Sequence, residues 1–270
     1  MAERIYPAGP GYERFKKDLA RLTGIDLDIY KYQIHRRVHT LMNNWGHTDY
    51  GEFFRAISSD DVKLGNFLNY ITINVTEFFR NPARWDSLRE DVLPELRRMY
   101  RGSLDFLSAG CSTGEEPYSL AMVARIERIP CRIIALDLDE GALRRAEEGR
   151  YREKQIAAVP DDLREASFTS EGDGFFRVRP ELKEMVTFKK ANLLEQELPS
   201  GQHLIFCRNV VIYFSAETKI MLYEKFYKSL ADGGFLMVGT TEQIFEYSRI
   251  GFEQAGPFLY RKPSGRVLSK

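Results

Sequence analysis

Apolar residues recur along this chain with two different periods, and the change from one to the other divides it. From residue 1 to about 75 the spacing is helical. Tyr30, Ile34, Val38 and Leu41 fall on one stripe of an α-helix, and Tyr32, Arg36, His39 and Asn43 take the opposite face. From about residue 76, short apolar runs alternate with helical segments. "WDSLREDVLPELRRMY" reads as helix, "LDFLSA" as strand, "EEPYSLAMVARIERI" as helix, "CRIIALDLD" as strand and "EGALRRAEEGRY" as helix. The rhythm resumes with "MVTFKKANLL", the strand of "HLIFCRNVVIYF", the helix "AETKIMLYEKFYKSLA" and "GGFLMVGTT". A short strand pair in "GFEQAGPFLYRKP" closes it.

Strands alternating with helices predict an α/β domain over 76–270, its parallel sheet covered on both faces. A small all-helical domain and linker over 1–75 precede it. Residues 151–185 break the alternation. There "SEGDGFFRVRPEL" predicts an antiparallel β-hairpin inserted at about 160–185, with Gly172 and Gly174 punctuating the turn.

Charge and cysteine content narrow the class. Lys+Arg and Asp+Glu are equal at 39 each, so no overall field draws the chain to nucleic acid or an anionic membrane. No apolar run reaches the ~20 residues that span a bilayer, and "MAERIYPAGPGYERF" has no signal-peptide core, which predicts a cytoplasmic protein without membrane insertion. Cys111, Cys131 and Cys207 are widely spaced beside apolar segments. They predict reduced, buried thiols rather than a zinc site or a disulfide framework, and in that setting the sequon at Asn74 goes unglycosylated. Locally the charge is uneven. Residues 29–48 carry no acid but hold Lys31, Arg36, Arg37 and three of the four histidines. This is either a solvated helix face or a docking surface for an acidic helical partner.

The turn "SAGCSTGEE" joins a strand to a helix, the usual place for a phosphate, yet it departs from a dinucleotide fingerprint. Ser112 stands where a second glycine would let a pyrophosphate approach, and Glu115 and Glu116 crowd the helix N-terminus that a phosphate needs. One glutamate is explained as a helix-terminus anion; the pair suits a cationic, phosphate-free ligand such as S-adenosylmethionine. Asp137 ends the second strand, where a carboxylate can accept both ribose hydroxyls, while Asp139 caps the next helix. Asn192 either reads an adenine edge or simply forms a turn. "ITINVTEFFRNP" sets Asn74, Thr76, Glu77 and Arg80 among apolar neighbours, and "IFCRNVVIYF" reads as a strand whose end presents Arg208, Asn209 and Tyr213. Groups at strand carboxyl ends converge on the ligand crevice of an open sheet; a salt-bridging Arg80 and a core Tyr213 are the alternatives.

Taken together, "ITINVTEFFR", "SAGCSTGEEPYSLAM", "ALDLDEGAL", "GRY", "RVRPELKEMVTFKKANLL" and "FCRNVVIYF", with "GIDLDIYKYQIHRRV" near the N-terminus, resemble the chemotaxis receptor methyltransferases, the CheR family. The resemblance covers nearly the whole chain. It implies a class I S-adenosylmethionine-dependent methyltransferase sheet, Rossmann-like, with a helical N-terminal domain and an inserted hairpin. It further implies methylation of glutamate side chains on the cytoplasmic helices of chemoreceptors, with S-adenosylhomocysteine as product. By the same resemblance Asn74, Thr76, Arg80, Glu115, Asp137, Asn192, Leu193, Arg208 and Asn209 line the cofactor pocket, and Tyr213 and Arg80 serve the reaction. Lys31, Arg36 and Arg37 become candidates for substrate docking. Some members tether to a receptor C-terminal pentapeptide through a longer, glycine-rich hairpin. "SEGDGFFRVR" is compact, which points to a tether-independent enzyme. A methyltransferase for another protein and a silent receptor-binding adaptor are the competing readings, and a nicotinamide oxidoreductase is disfavoured by Ser112 and the acid pair.

Overall fold

A computed structural model describes residues 11–23, 25–72 and 76–265. The chain separates into two compact units, one of residues 1–74 with 213–219, the other of residues 75–212 with 220–270. No helix among the described residues is long and apolar enough to cross a membrane.

The first unit is helical: α1 (Tyr12–Thr23), α2 (Tyr32–Asn44), α3 (Tyr50–Ser58) and α4 (Asp61–Thr72). Its core is aromatic, with Phe15, Phe53 and Phe67 fully buried and the Phe15 and Phe53 rings stacked at 5.7 Å. The stripe Ile34, Val38 and Leu41 is buried as its spacing predicts. Tyr30 departs from it, because α2 begins only at Tyr32. Tyr30 instead forms an isolated antiparallel bridge with Phe214, closed by Lys31 N–H to Tyr213 O (2.8 Å) and Ser215 N–H to Ile29 O (3.0 Å). Two hydrogen bonds and a Tyr30–Phe214 ring contact at 5.3 Å thus bring residues 213–215 into this unit.

Among the described residues the second unit is built on ten strands: β1 (Leu104–Ala109), β2 (Cys131–Asp137), β3 (Arg150–Arg152), β4 (Phe168–Gly172), β5 (Phe175–Val178), β6 (Val186–Lys190), β7 (Gln202–Cys207), β8 (Leu230–Val238), β9 (Glu253–Gly256) and β10 (Leu259–Arg261). Seven of them form one sheet in the order β6-β2-β1-β7-β8-β10-β9. β6 to β8 pair in parallel, and β10 runs antiparallel to β8 and β9. β1 and β7 are buried almost throughout, as strands covered on both faces must be. The predicted α/β architecture with its closing strand pair is therefore present.

Two expectations need correction. "GRY" does not continue the helix before it: Gly149 takes φ 63 as the left-handed residue after Glu148, and Arg150–Arg152 turns back as β3. The predicted hairpin, β4 and β5, consequently gains a third strand, giving a small antiparallel sheet β3-β5-β4. Its turn is tight, with positive φ at both Asp173 (50°) and Gly174 (73°), the twist that two-residue hairpins favour. The strand in "IFCRNVVIYF" likewise ends early, at Cys207, and residues Val211–Tyr213 form a 3-10 turn. Beyond Cys207 a side chain, Glu242, captures backbone N–H groups that a sheet ladder would otherwise use.

Candidate functional site

In the main sheet the chain leaves β1 for β2 and β6 on one side and later fills β7 and β8 on the other. The connections diverge at the carboxyl ends of β1 and β7, where open α/β sheets form their ligand crevice. The residues singled out by sequence in the second unit lie immediately after the strands that end there, or on the segment Thr76–Asn81.

The loop after β1 is shaped by close approaches. Gly110 has φ 82, and a Cβ there would overlap Val210; at Gly114, φ 94, it would lie 2.9 Å from both Ala146 Cβ and the Tyr151 hydroxyl. Tyr151 Oη donates to Thr113 O at 2.6 Å. Ser112, at φ 48, donates its N–H to Asp137 Oδ2 at 2.7 Å, and the Gly114 N–H goes to Cys111 O at 3.0 Å. These two loop N–H groups are satisfied by the protein itself, unlike the open cradle that a pyrophosphate uses.

Three carboxylates surround this loop. Asp137 Oδ1 accepts the Asp139 N–H at 2.9 Å, and Asp139 in turn caps the helix Glu140–Glu148 through Ala142 N–H at 3.0 Å, as the sequence suggested. Each Asp137 oxygen thus accepts one backbone N–H and keeps acceptor capacity for another donor. Glu115 is 2% exposed and accepts from Thr113 Oγ1 at 2.7 Å. Glu116 accepts from Ser108 Oγ at 2.7 Å and lies 3.5 Å from the Arg208 guanidinium. Burial pushes all three carboxyls up, against hydrogen bonds and, for Glu116, the opposing charge of Arg208. The acid pair is therefore divided. Glu116 pairs directly with Arg208, whereas Glu115 is held by the side chains of Thr113 and Gln155 and feels the charge of Arg145 without a direct ion pair.

Arg208 ties the end of β7 to the segment before the helix Pro82–Ser87. Its Nη2 donates to Arg80 O and to Asn81 Oδ1 (2.9 Å), and Trp85 Nε1 reaches the same Arg80 carbonyl at 3.1 Å. Phe79 N–H is held by Ser119 Oγ at 3.1 Å. Among the described residues seven non-glycine positions have positive φ, and four of them, Phe79, Asn81, Ser112 and Asn209, belong to these segments. Such strain concentrates where a site is over-determined by its surroundings. Ser112 Oγ, Arg208 Nε and Asn209 Oδ1 are buried without a hydrogen-bond partner in the protein, as are Arg179 Nε, Gln202 Oε1 and Arg261 Nε elsewhere in the second unit.

Asn192 and Leu193 follow β6. The Asn192 carboxamide oxygen accepts the Leu194 N–H at 3.1 Å, so the turn-forming role holds whatever else the side chain does. Lys225 Nζ fixes this loop by donating to Leu193 O (2.7 Å), Leu194 O (3.0 Å) and Gln196 O (2.6 Å). Sequence reasoning missed Lys225, Glu242 and the Arg208–Glu116 pair, because each joins segments far apart in the chain and leaves no local pattern. Thr76 and Arg80 are half-buried, and Asn74 lies outside the described residues.

The remaining candidates are in the first unit. Tyr213 is half-buried, with its carbonyl held by Lys31 N–H. Lys31 and Arg36 are exposed. Arg37 differs: its Nε donates to Tyr70 O at 3.0 Å and its guanidinium lies 4.5 Å over the Tyr70 ring, which joins α2 to the last turn of α4.

Two family profiles match the chain. One, described as CheR methyltransferase, SAM binding domain, covers residues 74–256, and the other, CheR methyltransferase, all-alpha domain, covers residues 10–72. A Listeria monocytogenes protein named chemotaxis protein methyltransferase is 40% identical over 256 residues, spanning 93% of this chain and 97% of its own. Proteins of the same name from Borreliella burgdorferi (34% identical, 92% of this chain, 94% of theirs) and Pseudomonas aeruginosa (number 1; 32%, 88% and 91%) are also similar.

Proposed function

The chain belongs to the CheR methyltransferase family, and on that premise we propose that it uses S-adenosylmethionine to convert glutamate side chains on the cytoplasmic helices of chemoreceptors into methyl esters. The observation that carries the cofactor reading is the donor and acceptor set after β1, β2 and β7. Glu115 is buried and Asp137 half-buried, Ser112 Oγ and Asn209 Oδ1 have no hydrogen-bond partner in the protein, and the loop N–H groups of Ser112 and Gly114 are already used. Such a set fits a nucleoside that carries positive charge and no phosphate. Asp137 would take the ribose hydroxyls and Glu115 the cationic methionine end, with Asn74, Thr76, Arg80, Asn192, Leu193, Arg208 and Asn209 completing the pocket. The bound cofactor supplies an electrophilic methyl group on a sulfonium.

A substrate glutamate, with a free pKa of about 4.3, is already ionised at neutral pH, so the chain needs no general base. Because the attacking carboxylate would carry no proton, no residue of the chain would have to accept or supply one during methyl transfer. The protein contributes alignment and removal of water. Tyr213 orients the substrate carboxylate by a hydrogen bond, and Arg80 balances its charge. Tyr213→Phe is expected to lower kcat at least tenfold while leaving the S-adenosylhomocysteine affinity within twofold; equal losses in both would assign the hydroxyl a purely structural use.

Lys31 and Arg36, exposed in a stretch without acids, are proposed to meet the acidic receptor helix, with Arg37 contributing from its place against Tyr70. The two-residue turn at Asp173–Gly174 supports action without a receptor pentapeptide tether, and the reading places the enzyme in the cytoplasm. The deciding experiment incubates the protein with methyl-labelled S-adenosylmethionine and receptor membranes. Base-labile label on the receptor is the expected result. Binding of S-adenosylhomocysteine without transfer would instead identify a silent adaptor.

A further inference from the structure

One buried acid has no part in the mechanism above. Glu242 follows β8 in the loop "GTTEQ" and is 2% exposed. Its Oε2 accepts two backbone N–H groups, from Asn209 at 2.6 Å and Gly239 at 2.8 Å, while Oε1 accepts that of Ile212 at 3.3 Å. Gly239 leaves it room, since a Cβ there would overlap the carboxylate and come within 3.0 Å of Asn209 N. One side chain therefore closes the ends of β7 and β8 onto each other. Arg208 lies on one side of the captured turn, and Asn209, at φ 61, is the residue held.

We infer that Glu242 is a positioning residue for the cofactor, which fixes the turn 209–212 so that the Asn209 side chain is presented with its carbonyl oxygen unpartnered. This rests on the methyltransferase reading and adds to it a residue that makes no ligand contact of its own. The chemistry calls for a carboxylate. Three N–H donors need an acceptor-only group with two oxygens, and glutamine offers one oxygen and would turn its own N–H2 toward one of the donors. Asparagine tolerates φ 61 as a single residue, and the Glu242 carboxylate selects that conformation by accepting its N–H at 2.6 Å.

The test is a double-mutant cycle on the full chain, read as S-adenosylhomocysteine affinity by calorimetry, with circular dichroism to establish folding. Glu242→Gln is expected to weaken binding about tenfold. Asn209→Gly keeps the N–H and tolerates positive φ while removing the side chain; on that background Glu242→Gln should cost less than twofold. An equal penalty on both backgrounds, or none on either, overturns the inference. If Glu242→Gln fails to fold, Glu242→Asp, which keeps the charge one methylene short, is read in the same cycle against the same limits. Absence of S-adenosylhomocysteine binding by the unmutated protein would instead remove the methyltransferase reading.

Discussion

Asp137→Ala is expected to weaken S-adenosylhomocysteine binding about 100-fold, with the protein still folded. Two hydrogen bonds from ribose hydroxyls to a charged acceptor contribute about 1.5 kcal/mol each, and ~1.4 kcal/mol is tenfold in affinity. The substitution also frees the Ser112 and Asp139 N–H groups that Asp137 now holds, so the glycine loop loses its anchor as the ribose loses its acceptor. Asp137→Asn separates the two losses. It keeps one acceptor oxygen and should fall between alanine and wild type. Calorimetric titration checks both variants, and unchanged affinity in Asp137→Ala would refute the ribose assignment.

The second large effect is on stability. Arg208→Met should lower the free energy of unfolding by about 3 kcal/mol, since removing one partner of a buried ion pair leaves the other charge uncompensated. The Arg208 side chain is 2% exposed and that of Glu116 12%, so water cannot replace the lost guanidinium. Glu116 would keep the Ser108 hydrogen bond and the weaker attraction of Arg80, with Glu242 nearby adding repulsion. The pH dependence has a definite sign. Burial already holds the Glu116 carboxyl up, and loss of Arg208 raises it further. An acid whose folded-state pKa exceeds its unfolded value ceases to oppose folding as pH falls through the folded value, so the deficit should be smaller at mildly acidic pH than at neutral pH. Urea denaturation at the two pH values measures this. Glu116→Gln added to Arg208→Met should recover part of the loss, and a deficit independent of both pH and Glu116 would show that packing over Trp85 matters more than charge.

Local pattern carried much of this structure. β1, β2 and the helix Glu115–Ile126 are visible as an apolar run, a glycine turn and a helical stretch, and Asp139 announces its cap by position alone. The misreadings differ in cause. The glycine of "EEGRY" is itself a helix stop signal that the helical reading ran past, whereas nothing within "CRNVVIY" says where hydrogen bonding changes partner, since the partner of Asn209 N–H is Glu242. Asp137 was legible as the last residue of β2, because the apolar run before it stops at that carboxylate. Glu242 was not, because its donors lie about 30 residues away or in its own turn. The acid pair was half legible: the sequence displays both charges, and only the fold reveals that Arg208 takes one of them.

The three cysteines have a practical consequence. Cys111, Cys131 and Cys207 are all unpaired and buried, and burial pushes each thiol up, Cys131 to about 12. Thiolate, the reactive species, is thus scarce in the native protein, so alkylating reagents wait for the fold to breathe. Cys111, in the glycine loop, and Cys207, the last residue of β7, then act as built-in clocks for opening of the sheet's carboxyl edge. Their alkylation should slow when S-adenosylhomocysteine is added, and a cysteine engineered onto the exposed hairpin would take a fluorophore long before either of them reacted.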